Sequence, residues 1–140
     1  MPLPPNVFCD TSFLYACLDP SDTHHPEAQE LITEAADRVG LHTTWDVVSE
    51  TITLLRYRVS YPAALVFVDE LCSRLRLVEY GTEVRGQALD VFHRRSRDHR
   101  LSFCDAISFV VVTTLLDHMP CFAFDEDFRR LGLTVITAPH

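Results

Sequence analysis

Four short apolar runs in this chain each end in a carboxylate: Val7-Phe8-Cys9-Asp10, Val47-Val48-Ser49-Glu50, Leu101-Ser102-Phe103-Cys104-Asp105, and Cys121-Phe122-Ala123-Phe124-Asp125. This pattern constrains the fold more than any other feature, because it places charge at the edge of the core, where an isolated ionised carboxylate is very costly. The carboxylates need partners. There is no lysine, and all 12 basic residues are arginine, so no ammonium group is available to balance them. A hard divalent cation with oxygen ligands, Mg²⁺ or Mn²⁺, is the expected partner for Asp10, Glu50, Asp105 and Asp125.

The segments between these acids alternate in period. Val7 to Asp10 reads as a strand, and Phe13, Leu14, Ala16, Cys17 and Leu18 follow at helical spacing. Pro20-Ser21-Asp22 breaks that helix. His25 to Val39 reads as an amphipathic helix ended by Gly40, and Leu41 to Thr44 as a short strand. Asp46, read as a cap, opens a helix to Val59 that carries Glu50 in its first turns, and a helix from Pro62 runs to about Leu75. Arg76 to Tyr80 reads as a strand, Gly81 as a turn and Glu83 to Arg97 as a helix. Ala106 to Val112 is rich in β-branched residues, yet the length to Asp117 and the acid at its start predict a buried helix. Cys121 to Phe124 then reads as a strand, Glu126 to Leu131 as a short helix and Leu133 to Ile136 as a fifth strand. Strands alternating with helices predict one α/β domain over residues 1–140, with a parallel five-stranded sheet flanked by helices in three layers.

In such folds ligands bind beyond the carboxyl ends of the strands, which is where Asp10 and Asp125 fall. Glu50 and Asp105 fall near helix N-termini, where the dipole favours negative charge and where ordinary capping competes with a chemical role. Thr11 and Ser12 are accessory candidates, either as N-caps or as hydroxyl donors to a metal ligand or a phosphate. Asp127, two residues past Asp125, is a further accessory candidate.

The net charge of −8 argues against phosphate binding over the whole surface. A local groove remains open, because Arg94, Arg95, Arg97 and Arg100 crowd the segment before Asp105 and arginine grips phosphate in a bidentate way. Cys9, Cys17, Cys72, Cys104 and Cys121 include no CxxC pair, which predicts reduced thiols packed as small apolar groups. With no apolar stretch approaching the ~20 residues a bilayer span needs, and no basic, apolar leader at the N-terminus, a cytoplasmic protein without membrane association is expected.

The order Asp10-Thr11-Ser12, Ser49-Glu50, Ser102-Phe103-Cys104-Asp105-Ala106 and Phe124-Asp125-Glu126-Asp127-Phe128, with Leu131-Gly132-Leu133-Thr134-Val135 after it, resembles a single-domain prokaryotic PIN domain of the class that includes VapC toxins. The resemblance covers essentially the whole chain. It implies strand order 3-2-1-4-5, Mg²⁺- or Mn²⁺-dependent ribonuclease activity with RNA as substrate, metal-binding roles for Asp10, Glu50, Asp105 and Asp125, and a small antitoxin as partner. One position departs from the pattern: many relatives carry Thr or Ser two residues before the fourth acid, and here that residue is Ala123. The apolar helices after Asp22 and Pro62 offer surfaces for an antitoxin or a homodimer. Two other functions compete. One is a weakly catalytic module whose carboxylates attract a basic peptide. The other is an aspartyl-phosphate phosphatase with Asp10 as nucleophile, which normally needs a lysine near the phosphate.

Overall fold

The computed structural model describes residues 2–97 and 100–138. Val7, Phe8 and Cys9 lie in strand β1 (Asn6–Cys9) and are fully buried. A continuous apolar run of this kind suits a central strand covered on both faces. β1 pairs in parallel with β2 (Gly40–Thr43) on one side and with β4 (Cys121–Phe122) on the other, and β2 pairs in parallel with β3 (Leu75–Leu77), so the order is β3-β2-β1-β4. The sheet is flanked by helices α1 (Thr11–Leu18), α2 (His25–Ala35), α3 (Trp45–Arg58), α4 (Tyr61–Val66), α5 (Thr82–Arg95), α6 (Phe103–Thr114) and α7 (Glu126–Arg130). α1 packs on α2 and α3, α3 also packs on α4 and α6, and α5 packs along α6.

Four expectations are corrected. The sheet has four strands, not five. Leu133 to Ile136 makes a single parallel bridge, Cys121 to Val135, held by bonds from Cys121 N to Thr134 O and from Ile136 N to Cys121 O. β4 is two residues long, so it offers the next segment too few outward-facing groups for a ladder. The second helix stops at Ala35 rather than Val39, because Ala36 takes φ 35°, a conformation that breaks the helical path and is costly for a residue with a Cβ. The helix from Pro62 is α-helical only to Val66. It continues as a π-helical turn over Phe67–Leu71 and a 3₁₀ turn over Cys72–Arg74. The cap of α3 is Thr44, whose Oγ1 accepts from Val47 N, while Asp46 accepts a 2.6 Å hydrogen bond from the Tyr80 hydroxyl.

The β-branched stretch does form helix α6. Ser102 and Asp105 close a reciprocal capping box at its start, and Thr113 and Thr114 return their hydroxyls to carbonyls one turn back. The helix propensity lost by Ile107, Val110, Val111 and Val112 is at most about 0.7 kcal/mol each, whereas burying such a side chain contributes about 1.5–3 kcal/mol. All four are buried, so packing decides the outcome.

Candidate active site

The chain adds β2 and then β3 on one side of β1 and later returns to add β4 on the other. β1 and β4 therefore flank a topological switch point, where the connections diverge and leave a crevice beyond the strand ends. Asp10 follows β1 directly and caps α1, its Oδ2 accepting from Ser12 N at 3.1 Å and from Ser12 Oγ at 2.6 Å. Asp125 follows β4 and caps α7, accepting from Asp127 N. Asp105 is the third residue of α6, and its Oδ2 accepts from Ser102 N. Glu50 stands in the second turn of α3. All four line one cavity of about 490 Å³.

The electrostatics are those of crowded carboxylates. Burial, and then the charge of Asp105, pushes the Asp10 carboxyl well above the usual range, against the lowering effect of the Ser12 hydrogen bonds. Burial raises Asp105 too, with Asp125 and Glu50 adding to the effect against the hydrogen bonds from Ser102. Asp125 is raised mainly by burial, with Asp127 contributing. Asp10 Oδ1 is buried and has no hydrogen-bond partner.

An orphaned carboxylate oxygen among like charges is an unmet demand for a cation, and an all-oxygen donor set suits a hard one. Among the described residues no three His, Cys, Asp or Glu side chains already stand close enough together to hold one ion. Mg²⁺ commonly keeps several waters and uses one or two carboxylates, so this donor set still fits it.

Ser12 joins the two strand ends. Its hydroxyl donates to Asp10 and accepts from Phe124 N at 2.9 Å, across 112 residues of sequence. Neither Thr11 nor Ser12 is the N-cap, because Asp10 itself fills that role. Thr11 lines the cavity, with its buried hydroxyl lacking a partner. Ala123 is buried, and the hydroxyl at this corner comes from Ser12. Ser12→Ala should lower stability by about 1–3 kcal/mol, since it leaves the Phe124 amide and the Asp10 carboxylate short of a partner. It should also raise the Asp10 pKa further. Thermal melts at several pH values check both effects.

Other candidates separate. Arg100 lines the cavity, but Arg94, Arg95 and Arg97 do not. Arg94 Nε donates to Asp90 O on its own helix, and the Arg95 guanidinium lies 5.5 Å from the centre of the Phe109 ring, so half of the expected arginine cluster serves helix α5 and its packing. Residues 98 and 99 within that cluster lie outside the described residues. Asp127 is outside the cavity lining and pairs with Arg130 at 3.6 Å. Tyr15, Asp22, His24, Leu54, Arg58 and Ser102 line the cavity without having been singled out from the sequence. Glu50, Leu54 and Arg58, spaced by four on α3, were the signal available. The five cysteines are unpaired as expected, with Cys9, Cys17 and Cys121 buried. Burial pushes the Cys17 and Cys121 thiols up to about 12, which removes them as nucleophiles.

The PIN domain family matches residues 7–133. This chain belongs to the PIN family. A VapC ribonuclease of Archaeoglobus fulgidus is 32% identical over 124 residues, covering 85% of this chain and 76% of that protein. The crystal structure of Mycobacterium tuberculosis VapC20, described as a toxin that cleaves the sarcin-ricin loop, superposes with a TM-score of 0.81 at 28% identity, over 94% of this PIN domain and 99% of VapC20. VapBC2 of Rickettsia felis, solved bound to a promoter DNA fragment, gives a TM-score of 0.68 at 10% identity over 94% and 97% of the two chains, a likeness of fold alone.

Proposed function

We propose that this PIN domain is a Mg²⁺- or Mn²⁺-dependent endoribonuclease, and that it is the toxin of a toxin–antitoxin pair. The observation that carries the reading is the convergence of Asp10, Glu50, Asp105 and Asp125 on one cavity, with Asp10 Oδ1 buried and unpartnered. Similarity to VapC ribonuclease over most of the chain supports RNA as the substrate.

Asp10, Glu50, Asp105 and Asp125 would hold the ion. When bound, it supplies charge stabilisation at the phosphate and makes water a better nucleophile at neutral pH. Ser12 fixes the Asp10 carboxylate by its two hydrogen bonds, and the capping box fixes Asp105, so both acids are oriented before substrate arrives. Arg100, at the rim, contributes positive charge toward the RNA backbone. Arg94, Arg95 and Arg97, set apart from the cavity, contribute at most long-range attraction.

For the partner, the carboxylate cluster favours a small antitoxin that presents arginine. Tyr61, Leu65 and Val68, exposed near α4, offer an apolar face for that antitoxin or for a homodimer. Among the described residues no helix is long and apolar enough to cross a membrane.

Purified protein incubated with single-stranded RNA should cleave it with Mg²⁺ or Mn²⁺ and stop when a chelator is added. Cleavage that persists in chelator sinks the metal assignment. No cleavage with any divalent ion would reduce the protein to a binding module. Co-expression with the adjacent reading frame tests the toxin assignment: the chain alone should arrest growth, and its neighbour should co-purify and relieve the arrest.

A further inference from the structure

The four carboxylates form only part of the wall of the cavity at the switch point. The remaining wall is made by Tyr15, His24, Leu54, Arg58 and Phe124, whose chemistry differs from that of the acids.

His24 lies flat against Phe124, with ring centroids 4.5 Å apart and planes 2° from parallel. Both rings are anchored from the backbone. His24 N donates to Asp22 Oδ1 at 2.8 Å, and Phe124 N donates to the Ser12 hydroxyl that also holds Asp10. His24 is exposed, so its stack with Phe124 presents a flat π surface at the cavity wall. Such a surface is what an unpaired base stacks on, and it is of little use to a base already stacked within a duplex.

Glu50, Leu54 and Arg58 recur every four residues along one stripe of α3, with about 12 Å of helix axis between the backbone positions of Glu50 and Arg58. Among the described residues no carboxylate lies within ion-pair distance of Arg58, which is exposed at the cavity.

We infer that this arm of the cavity is a nucleotide subsite, in which an unpaired base beside the scissile phosphate stacks on the His24–Phe124 pair and Arg58 grips the next phosphate along the strand. The inference rests on the ribonuclease reading and adds the path of the RNA past the carboxylates, set by His24, Phe124 and Arg58.

The test measures binding of a labelled single-stranded oligoribonucleotide, and of the same sequence as a duplex, to the full chain carrying Asp105→Asn to block cleavage, with Mg²⁺ present. Cleavage by the protein without that change is assayed in parallel. Adding His24→Ala should weaken single-strand binding roughly 5- to 150-fold, the range of one base–aromatic stack, and His24→Tyr should restore it. Arg58→Ala should lower the slope of log affinity against log salt by about 0.7, the share of one phosphate contact on a single strand. The duplex should bind more weakly and be indifferent to His24. If His24→Ala and Arg58→Ala bind as the parent does while unmodified protein cleaves RNA, the subsite is wrong and the ribonuclease reading stands. If the protein neither binds nor cleaves RNA, both fall.

Discussion

Asp10→Asn should cut RNA cleavage by about 10²- to 10³-fold, the loss typical of removing one preorganised electrostatic group, and should at the same time make the metal-free protein more stable at pH 8. The two effects have one cause. Burial and Asp105 push the Asp10 carboxyl up to about 7, and burial raises Asp105 to about 6, so the folded protein holds protons that the unfolded chain releases near pH 4. The contribution of these two carboxyls to the stability of the metal-free protein is therefore greatest at low pH. It declines as pH rises from about 4 toward about 7, where Asp10 finally ionises in the folded state, and levels off above that. Asparagine keeps the shape and can still accept from Ser12, but it has no charge to desolvate. Melting temperature should thus fall with pH less steeply in Asp10→Asn than in the parent, and added Mg²⁺ should raise the melting temperature of the parent far more than that of the variant. A variant that is inactive and markedly less stable at pH 8 would make Asp10 a structural cap rather than a ligand.

Much of this site was legible in the sequence because its carboxylates are placed by local rules. Each acid was located as the end of an apolar run, and the structure shows why the pattern holds position: Asp10 caps the strand-to-helix turn into α1 and Asp105 closes a capping box with Ser102, neither of which depends on what the acids face. Groups placed by contacts distant in sequence were not legible. His24 meets Phe124 across a hundred residues, and no periodicity in either segment reports the other. The Asp46 error has the same origin: Thr44 and Asp46 are both good caps, and the choice was made by Tyr80, which takes the Asp46 carboxylate into a hydrogen bond 34 residues away. The arginine cluster misled because adjacent residues on a helix point in different directions. Arg94 and Arg95 cannot both face the cavity, and one bonds its own helix while the other lies over Phe109. The fifth strand misled for a further reason: a β-branched run needs a partner long enough to pair with, and β4 is only two residues long.

Phe13→Ala should cost about 3–5 kcal/mol, the range for deleting a buried aromatic ring, against a total of about 5–15 kcal/mol for a domain. Phe13 is fully buried in the first turn of α1, three residues past Asp10. Its ring lies 4.8 Å from that of Phe122 on β4 and 6.2 Å from that of Phe124 beyond the strand end. β4 is held by two residues of ladder on β1, so these aromatic contacts carry a larger share of its attachment than they would for a long strand. The cavity left by alanine should therefore loosen β4 and the Phe124–Asp125 corner before it disturbs β2 or β3 on the far side of β1. Two measurements separate this from a uniform loss of stability. Denaturant unfolding should show a midpoint lowered by the full amount, and native-state hydrogen exchange should show amides of β4 and α7 opening well before those of β2 and α3. Phe13→Leu, which keeps most of the apolar volume, should recover a large part of the stability. If exchange in Phe13→Ala speeds up equally throughout the sheet, β4 is not held locally by this cluster, and the support it lends to Asp125 must come from elsewhere in the core.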